Sequence, residues 1–250
     1  MEKSEIKNFP LFREVMNFLG NFLDEMEIQC KGHDIIIEGN DPSRITMMTL
    51  ELKDILKEPI NIVFALNVDH LNKILDKIED TPVMVEKSTK DNKKGYLKLS
   101  SNGESYTLSL LDVELEDIPF VNLRKIEYEK KIEVEREKLL KIIETARIYS
   151  EIIHIRFDSK GIEYYAVGQL GEFTKTEGLV EKQGETEYSL SFLKAVVKNT
   201  EALFVKPLTL HIKTDYPLHI EYIDTGIEYH QWLAPRVDEP DFDDDDMDDF

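Results

Sequence analysis

The sequence predicts an α+β fold built from two similar halves. Three observations carry that reading. An amphipathic helical stripe followed by short apolar runs occurs twice along the 250 residues. Around these stripes lie many short runs with strand-like alternation, separated by turn residues. Strands and helices do not alternate one for one, as a parallel sheet with crossover helices would require.

The first stripe is Leu11, Phe12, Val15, Met16, Leu19, Phe22 and Leu23. Its counterpart, about 127 positions on, is Leu139, Leu140, Ile142, Ile143, Ala146 and Tyr149. Residues at i, i+3 and i+4 share one helix face, so each stripe is read as a core-facing helix. After each comes a hairpin-like stretch, IQCKGHDIIIEG at 28–39 and IRFDSKGIEYYAVG at 155–168, in which Gly32 matches Gly161 and Gly39 matches Gly168 at an offset of 129. A shorter helix follows in each half, DHLNKILDKIE at 69–79 and SLSFLKAVVKN at 189–199, with Lys73 matching Lys194 at an offset of 121. The drift in offset fits a duplicated unit with small gaps.

Strands are predicted at TMMTLEL, INIVFAL, PVMVEKS, GYLKLSS and SYTLSLLDV in the first half, and at EFTKTEGLV, LTLHIKT, LHIEYI and YHQWLA in the second. Turn signals at Asn102-Gly103, Asp158–Gly161, Gln183-Gly184 and Thr225-Gly226 punctuate them. The segment 113–131 has a proline, mixed charges and no clear period, and is read as an extended connector. The organisation is therefore 1–112, connector 113–131, 132–237, and a tail at 238–250.

Charge and composition narrow the function. The formal charge is −20, from 31 Lys+Arg against 51 Asp+Glu, the opposite of a generally basic nucleic-acid binder. The tail DEPDFDDDDMDDF holds nine of the acids and no base, so it is expected to be solvated and self-repelling. A single cysteine, Cys30, excludes an internal disulfide and a cysteine-rich metal site. The start MEKSEIKNF lacks the pattern of a signal peptide, and no stretch has the ~18 apolar residues of a membrane span. A soluble, intracellular chain is expected. There is no GxxxxGK[ST], GxGxxG or HExxH, hence no phosphate cradle or metalloprotease helix. The six histidines are singly spaced, and His154, His211 and His219 read as strand residues. No catalytic residue, metal ligand or cofactor is expected, and the chain is not read as an enzyme.

Three segments resemble one family: Asn40-Asp41-Pro42-Ser43-Arg44-Ile45, Leu66–Leu75 (LNVDHLNKIL), and Trp232-Leu233-Ala234-Pro235-Arg236-Val237 before the acidic end. Together, from about residue 5 to 237, the chain resembles the proliferating cell nuclear antigen (PCNA) family of DNA sliding clamps, particularly its archaeal members. The resemblance implies two similar domains joined by a long connector, three subunits closed head to tail into a ring, strands outside, and helices lining a hole around duplex DNA. It implies a scaffold that tethers DNA polymerase, flap endonuclease and DNA ligase, is opened by a separate clamp loader, and needs no membrane. Its place would be the cytoplasm, at the nucleoid, in an archaeon and the nucleus in a eukaryote.

By the same resemblance, the DNA-facing cations are Arg13, Lys73, Lys77, Lys138, Lys141, Lys194 and Lys198. A mobile ammonium can follow phosphates without reading bases. The family places further cations where this chain has Glu14, Gly20, Asp76 and Glu144, so the lining is thinner in positive charge. The partner-peptide pocket maps to Arg44, Ile45, Ile118, Pro119, Phe120, Pro217, Trp232, Ala234, Pro235 and Val237. The ring contact maps to the edge strands Ser105–Leu111 and Glu172–Gly178. The alternatives are a subunit of a heterotrimeric or checkpoint-type clamp and, in another class, an acidic α+β hydrolase or a mimic of DNA.

Overall fold

A computed structural model describes residues 3–79, 83–90, 94–111, 120–181, 184–198, 200 and 203–236. The first half runs β1 (Lys3–Ile6), α1 (Phe9–Leu19), β2 (Glu25–Gly32), β3 (Asp34–Asn40), β4 (Thr46–Leu52), β5 (Ile60–Asn67), α2 (Val68–Leu75), β6 (Val83–Lys90), β7 (Lys94–Ser101) and β8 (Glu104–Ser109). A single helical turn, α3 (Phe120–Leu123), precedes the second half. That half runs β9 (Lys130–Val134), α4 (Arg136–Ala146), β10 (Ile152–Phe157), β11 (Gly161–Gly168), β12 (Gly171–Gly178), β13 (Gly184–Ser189), α5 (Leu190–Val197), β14 (Leu208–Ile212), β15 (Leu218–Ile223) and β16 (Ile227–Leu233). Each half is thus strand, helix, four strands, helix, three strands. The repeat read from the two stripes extends through every element but α3.

All strand pairs are antiparallel. The first half supplies the runs β1-β6-β7-β8 and β5-β2-β3-β4; the second supplies β9-β14-β15-β16 and β12-β11-β10-β13. One pairing crosses between halves: β16 lies beside β4, from Ile227 opposite Leu52 to Leu233 opposite Thr46. It merges two of the four runs into an eight-stranded sheet. By the repeat, β12 is the counterpart of β4 and β8 the counterpart of β16. Within one chain these two remain at sheet edges.

The helices form because their stripes can bury. In α1, Phe9, Phe12, Val15, Met16, Phe18 and Leu19 are all buried. Asn8 caps the helix by accepting from Leu11 N, with a proline in the first turn. Asn67 caps α2 in the same way, accepting from His70 N at 3.0 Å. Phe18 makes edge-on contacts at 5.4 Å with Phe204 and Tyr229 of the second half. Each such ring contributes roughly 1.5–3 kcal/mol by burial alone, so this cluster joins the halves behind the β4–β16 junction. Gly20, at the end of α1, has little room: a Cβ there would come within 2.7 Å of Asn72 Nδ2, whose amide donates to Met16 O. A side chain at position 20 would have to displace that amide, the movable end of Asn72.

Three expectations need correction. Helix α2 stops at Leu75, and Lys77 N and Ile78 N bond back to Ile74 and Leu75 carbonyls in a tighter turn, which buries Ile78. Helix α5 stops at Val197, because the buried Thr200 hydroxyl takes the last carbonyls of Val196 and Val197. The stretch read as an extended connector contains α3, and its last two residues already belong to β9, which pairs with β14.

Candidate DNA-facing helices and partner pocket

The seven predicted cations separate into three groups. Lys73 and Lys141 are exposed on α2 and α4. Lys77 and Lys198 are exposed but lie beyond the ends of α2 and α5, Lys198 being the extended C-cap. The predicted same-face pairs Lys73/Lys77 and Lys194/Lys198 are therefore not formed on continuous helices. The remaining three are engaged by their own chain. Arg13 donates from Nη1 to Ile78 O at 3.3 Å and lies 5.6 Å from the Phe9 ring centre, tying α1 to the turn after α2. Lys138 pairs with Glu177 of β12 at 2.7 Å, and Lys194 with Glu144 of α4 at 3.4 Å. Such partly exposed pairs contribute little stability, but each offsets the charge of its lysine within the chain's own surface.

Near the sheet edges are two clefts. One, of about 410 Å³, lies between α4 and β12, lined by Lys138, Lys141, Ile142, Thr145, Phe173 and Lys175. The other, of about 230 Å³, lies beside β8 and is lined by Lys77, Ile78, Glu79, Ser101, Asn102, Glu104 and Tyr106.

The predicted partner pocket is partly assembled. Asp41 is buried and accepts from Ser43 N at 3.1 Å, from Ser43 Oγ and from Thr46 N. That clamp forces Arg44 into a left-handed conformation, φ 57°, leaving its side chain exposed and Ile45 37% exposed. Ala234 N bonds to Ile45 O at 2.8 Å, so the loop and the C-terminal segment meet. A buried chain of side chains holds them in place: Tyr229 Oη donates to Gln231, whose Nε2 donates to Thr46 Oγ1, which donates to Trp232 O. Pro217, Ala234 and Pro235 are half-buried. Trp232 is 2% exposed, so it offers little open contact surface. Ile118, Pro119 and Val237 lie outside the described residues, as does the tail; Phe120 opens α3.

No family model matches the chain. A curated relative from Cenarchaeum symbiosum, named DNA polymerase sliding clamp, is 24% identical over 239 residues, covering 90% of this chain and 94% of that protein. The PCNA structure from Entamoeba histolytica superimposes with a TM-score of 0.75 at 20% identity, covering 94% of this chain and 98% of that one. The fold is that of the sliding clamps. The PCNA of A. fulgidus, solved with the C-terminal region of FEN-1, gives a TM-score of 0.73 at 19% identity and covers 95% of this chain.

The clamp fold also gathers residues that the sequence left apart. His211 is opposite His219 on β14 and β15, His219 is opposite Trp232, and Glu221 is opposite His230. Residues directly opposite share a sheet face, and Glu228, two positions before His230 on β16, lies 3.1 Å from it, so three histidines and two acids form one cluster. His211, His219 and Trp232 stack in sequence, with ring centres 4.6 and 4.8 Å apart. With Leu123 at the end of α3 and Arg124, Ile126 and Tyr128 after it, they line a cavity of about 340 Å³. Burial pushes His219 down to about 3 and lowers His211, while Tyr128 is pushed up to about 12. Period-two spacing in LHIEYI and IEYHQW was the available signal; what it lacked was the register between strands.

Proposed function

We propose that the chain is a subunit of a ring-shaped sliding clamp that encircles duplex DNA and tethers polymerase and other replication and repair enzymes. The observation that carries this is the pair of edges β8 and β12. They are the repeat counterparts of β16 and β4, which already pair inside the chain. Pairing β8 of one copy with β12 of the next would reproduce the internal junction between molecules, and a head-to-tail contact must either close or polymerise. Closure also covers backbone groups that a free edge leaves unpaired. The relatives' names, and the FEN-1 region on a PCNA of the same fold, support the scaffold role. In this reading the domains are 1–112 and 132–237, the seven cations face or flank the hole, and the loop at Ile45 with Pro235 and the connector receives partner peptides. The subunit performs no bond chemistry and works wherever the cell keeps its DNA.

Particle images together with sedimentation of the purified chain test the proposal. A ring of three copies with a central hole is expected; a compact monomer at micromolar concentration, with or without added partner clamps, would sink it. The engagement of Lys138 and Lys194 by Glu177 and Glu144 favours a second arrangement, in which this subunit shares a ring with more basic chains. A monomer that enters a ring only after mixing would select it.

A further inference from the structure

The edges β8 and β12 can be set against each other residue by residue, because the chain contains the same kind of junction once already. Leu111 N bonds to Ala65 O, two residues before the α2 cap Asn67. Arg236 N bonds to Glu187 O, two residues before the α5 cap Ser189. Leu111 therefore holds the place of Arg236, and Ser105 that of His230. From the same caps the ladders step outward alike. Asn67 is opposite Glu25 and Ser189 opposite Ile152. Two residues on, Glu27 leads to Glu38 and then Thr49, and His154 leads to Tyr165 and then Thr174. Thr174 therefore holds the place of Thr49. Inside the chain His230 lies opposite Thr49. The equivalent contact between copies sets Ser105 opposite Thr174, Tyr106 opposite Phe173 and Glu104 opposite Lys175.

We propose that β8 takes β12 of a second copy of this chain in that register, so that the ring is built of identical subunits. The inference rests on the clamp reading and names the neighbour across its seam. What carries it is that the two edges of one chain match each other. Aromatic pairs and opposite charges directly across a ladder are stabilising, and this register makes one of each on adjacent rungs of one face. Tyr106 and Phe173 are half-buried against their own cores. Glu104 and Lys175 are exposed, and Tyr106 Oη donates to Glu104, which holds the carboxylate beside the ring. The same four residues line the two clefts near the edges, so joining the edges brings those clefts together. One of them carries Lys138, Lys141 and Lys175, and the other carries Glu79 and Glu104 beside Lys77. A foreign neighbour would use only one of the two matched edges; a second copy uses both.

Cross-linking tests the register. The full chain carrying Ser105→Cys and Thr174→Cys, both at exposed positions, is oxidised and separated under denaturing, non-reducing conditions. The parent chain, whose one cysteine is buried, is the control. Covalent trimers that fall apart on reduction are expected, and Ser105→Cys with Thr176→Cys should cross-link far less. Charge reversal tests the pair. Glu104→Lys or Lys175→Glu alone sets like charges opposite each other and should raise the concentration at which rings dissociate about 5- to 10-fold. The double variant should return to the parent's midpoint. Thermal melts identify a charge variant that fails to fold, and the cross-link then decides. Rings of the pure chain that do not cross-link at Thr174 in preference to Thr176, or a folded double variant that does not recover, overturn the proposal and leave the clamp reading standing. So does a chain that enters a ring only after mixing with another clamp. Absence of a ring in every mixture overturns both.

Discussion

Asp41 shows how much one side chain can organise. It accepts from the amides of Ser43 and Thr46 while buried, and so shapes the loop that presents Ile45. Replacing it with Ala should cost about 1–3 kcal/mol from the stranded donors and weaken peptide binding chiefly through faster dissociation; surface-sensor rates and a denaturant melt would check both. Asp158, in the turn between β10 and β11, organises a different loop. Its carboxylate accepts from the amides of Lys160, Gly161 and Glu181, and these bonds, with that to Glu181 largest, hold it below the usual carboxylate range. A lowered folded-state value means stability that is present above the unfolded value, ~3.9, and lost as pH falls through the folded one. Asp158→Asn should therefore lower the melting midpoint at pH 7, and the gap to the parent protein should close progressively below about pH 4. An equal gap at pH 7 and pH 2.5 would show that its carboxylate charge is not what matters.

At the level of elements, the sequence was read best where periodicity and burial agree. The stripe at Leu11–Leu23 and the hairpin around Gly32 needed no tertiary information, because one face of α1 and alternate residues of β2 and β3 must bury. The motif Asp41–Ile45 was marked by its resemblance alone; the buried Asp41 clamp that shapes it was not read from the sequence. Helix ends were not legible, since Thr200 and the tight turn at Ile78 act on carbonyls rather than through side-chain spacing. Nor was the histidine cluster, whose members meet only through strand register. The engagement of Arg13, Lys138 and Lys194 likewise depends on partners far along the chain. It changes which cations matter: Lys73→Ala with Lys141→Ala should reduce the salt slope of DNA association by roughly 0.9 for each phosphate no longer neutralised. Arg13→Ala should instead lower thermal stability with a smaller effect on that slope. An unchanged slope in the double variant would place the DNA-binding cations elsewhere.

For the molecule as a whole, the two halves make one continuous body through β4 and β16, and the same kind of seam is available outward at β8 and β12. Thr107→Pro, within β8, removes a backbone donor and fixes φ. It should yield monomers by sedimentation that no longer support long polymerase tracts, while a peptide still binds near Ile45. Full processivity from a proven monomer would refute the encircling mechanism. The seams differ in one respect. Strands β4 and β16 belong to one polypeptide, so a separated pair is still tethered and meets again at an effective concentration of about millimolar. Strands β8 and β12 of different copies meet only at the concentration of free subunits. Chemically alike junctions would thus behave as hinge and latch: dilution, or a machine pulling on the ring, would part the latch first and leave every hinge closed.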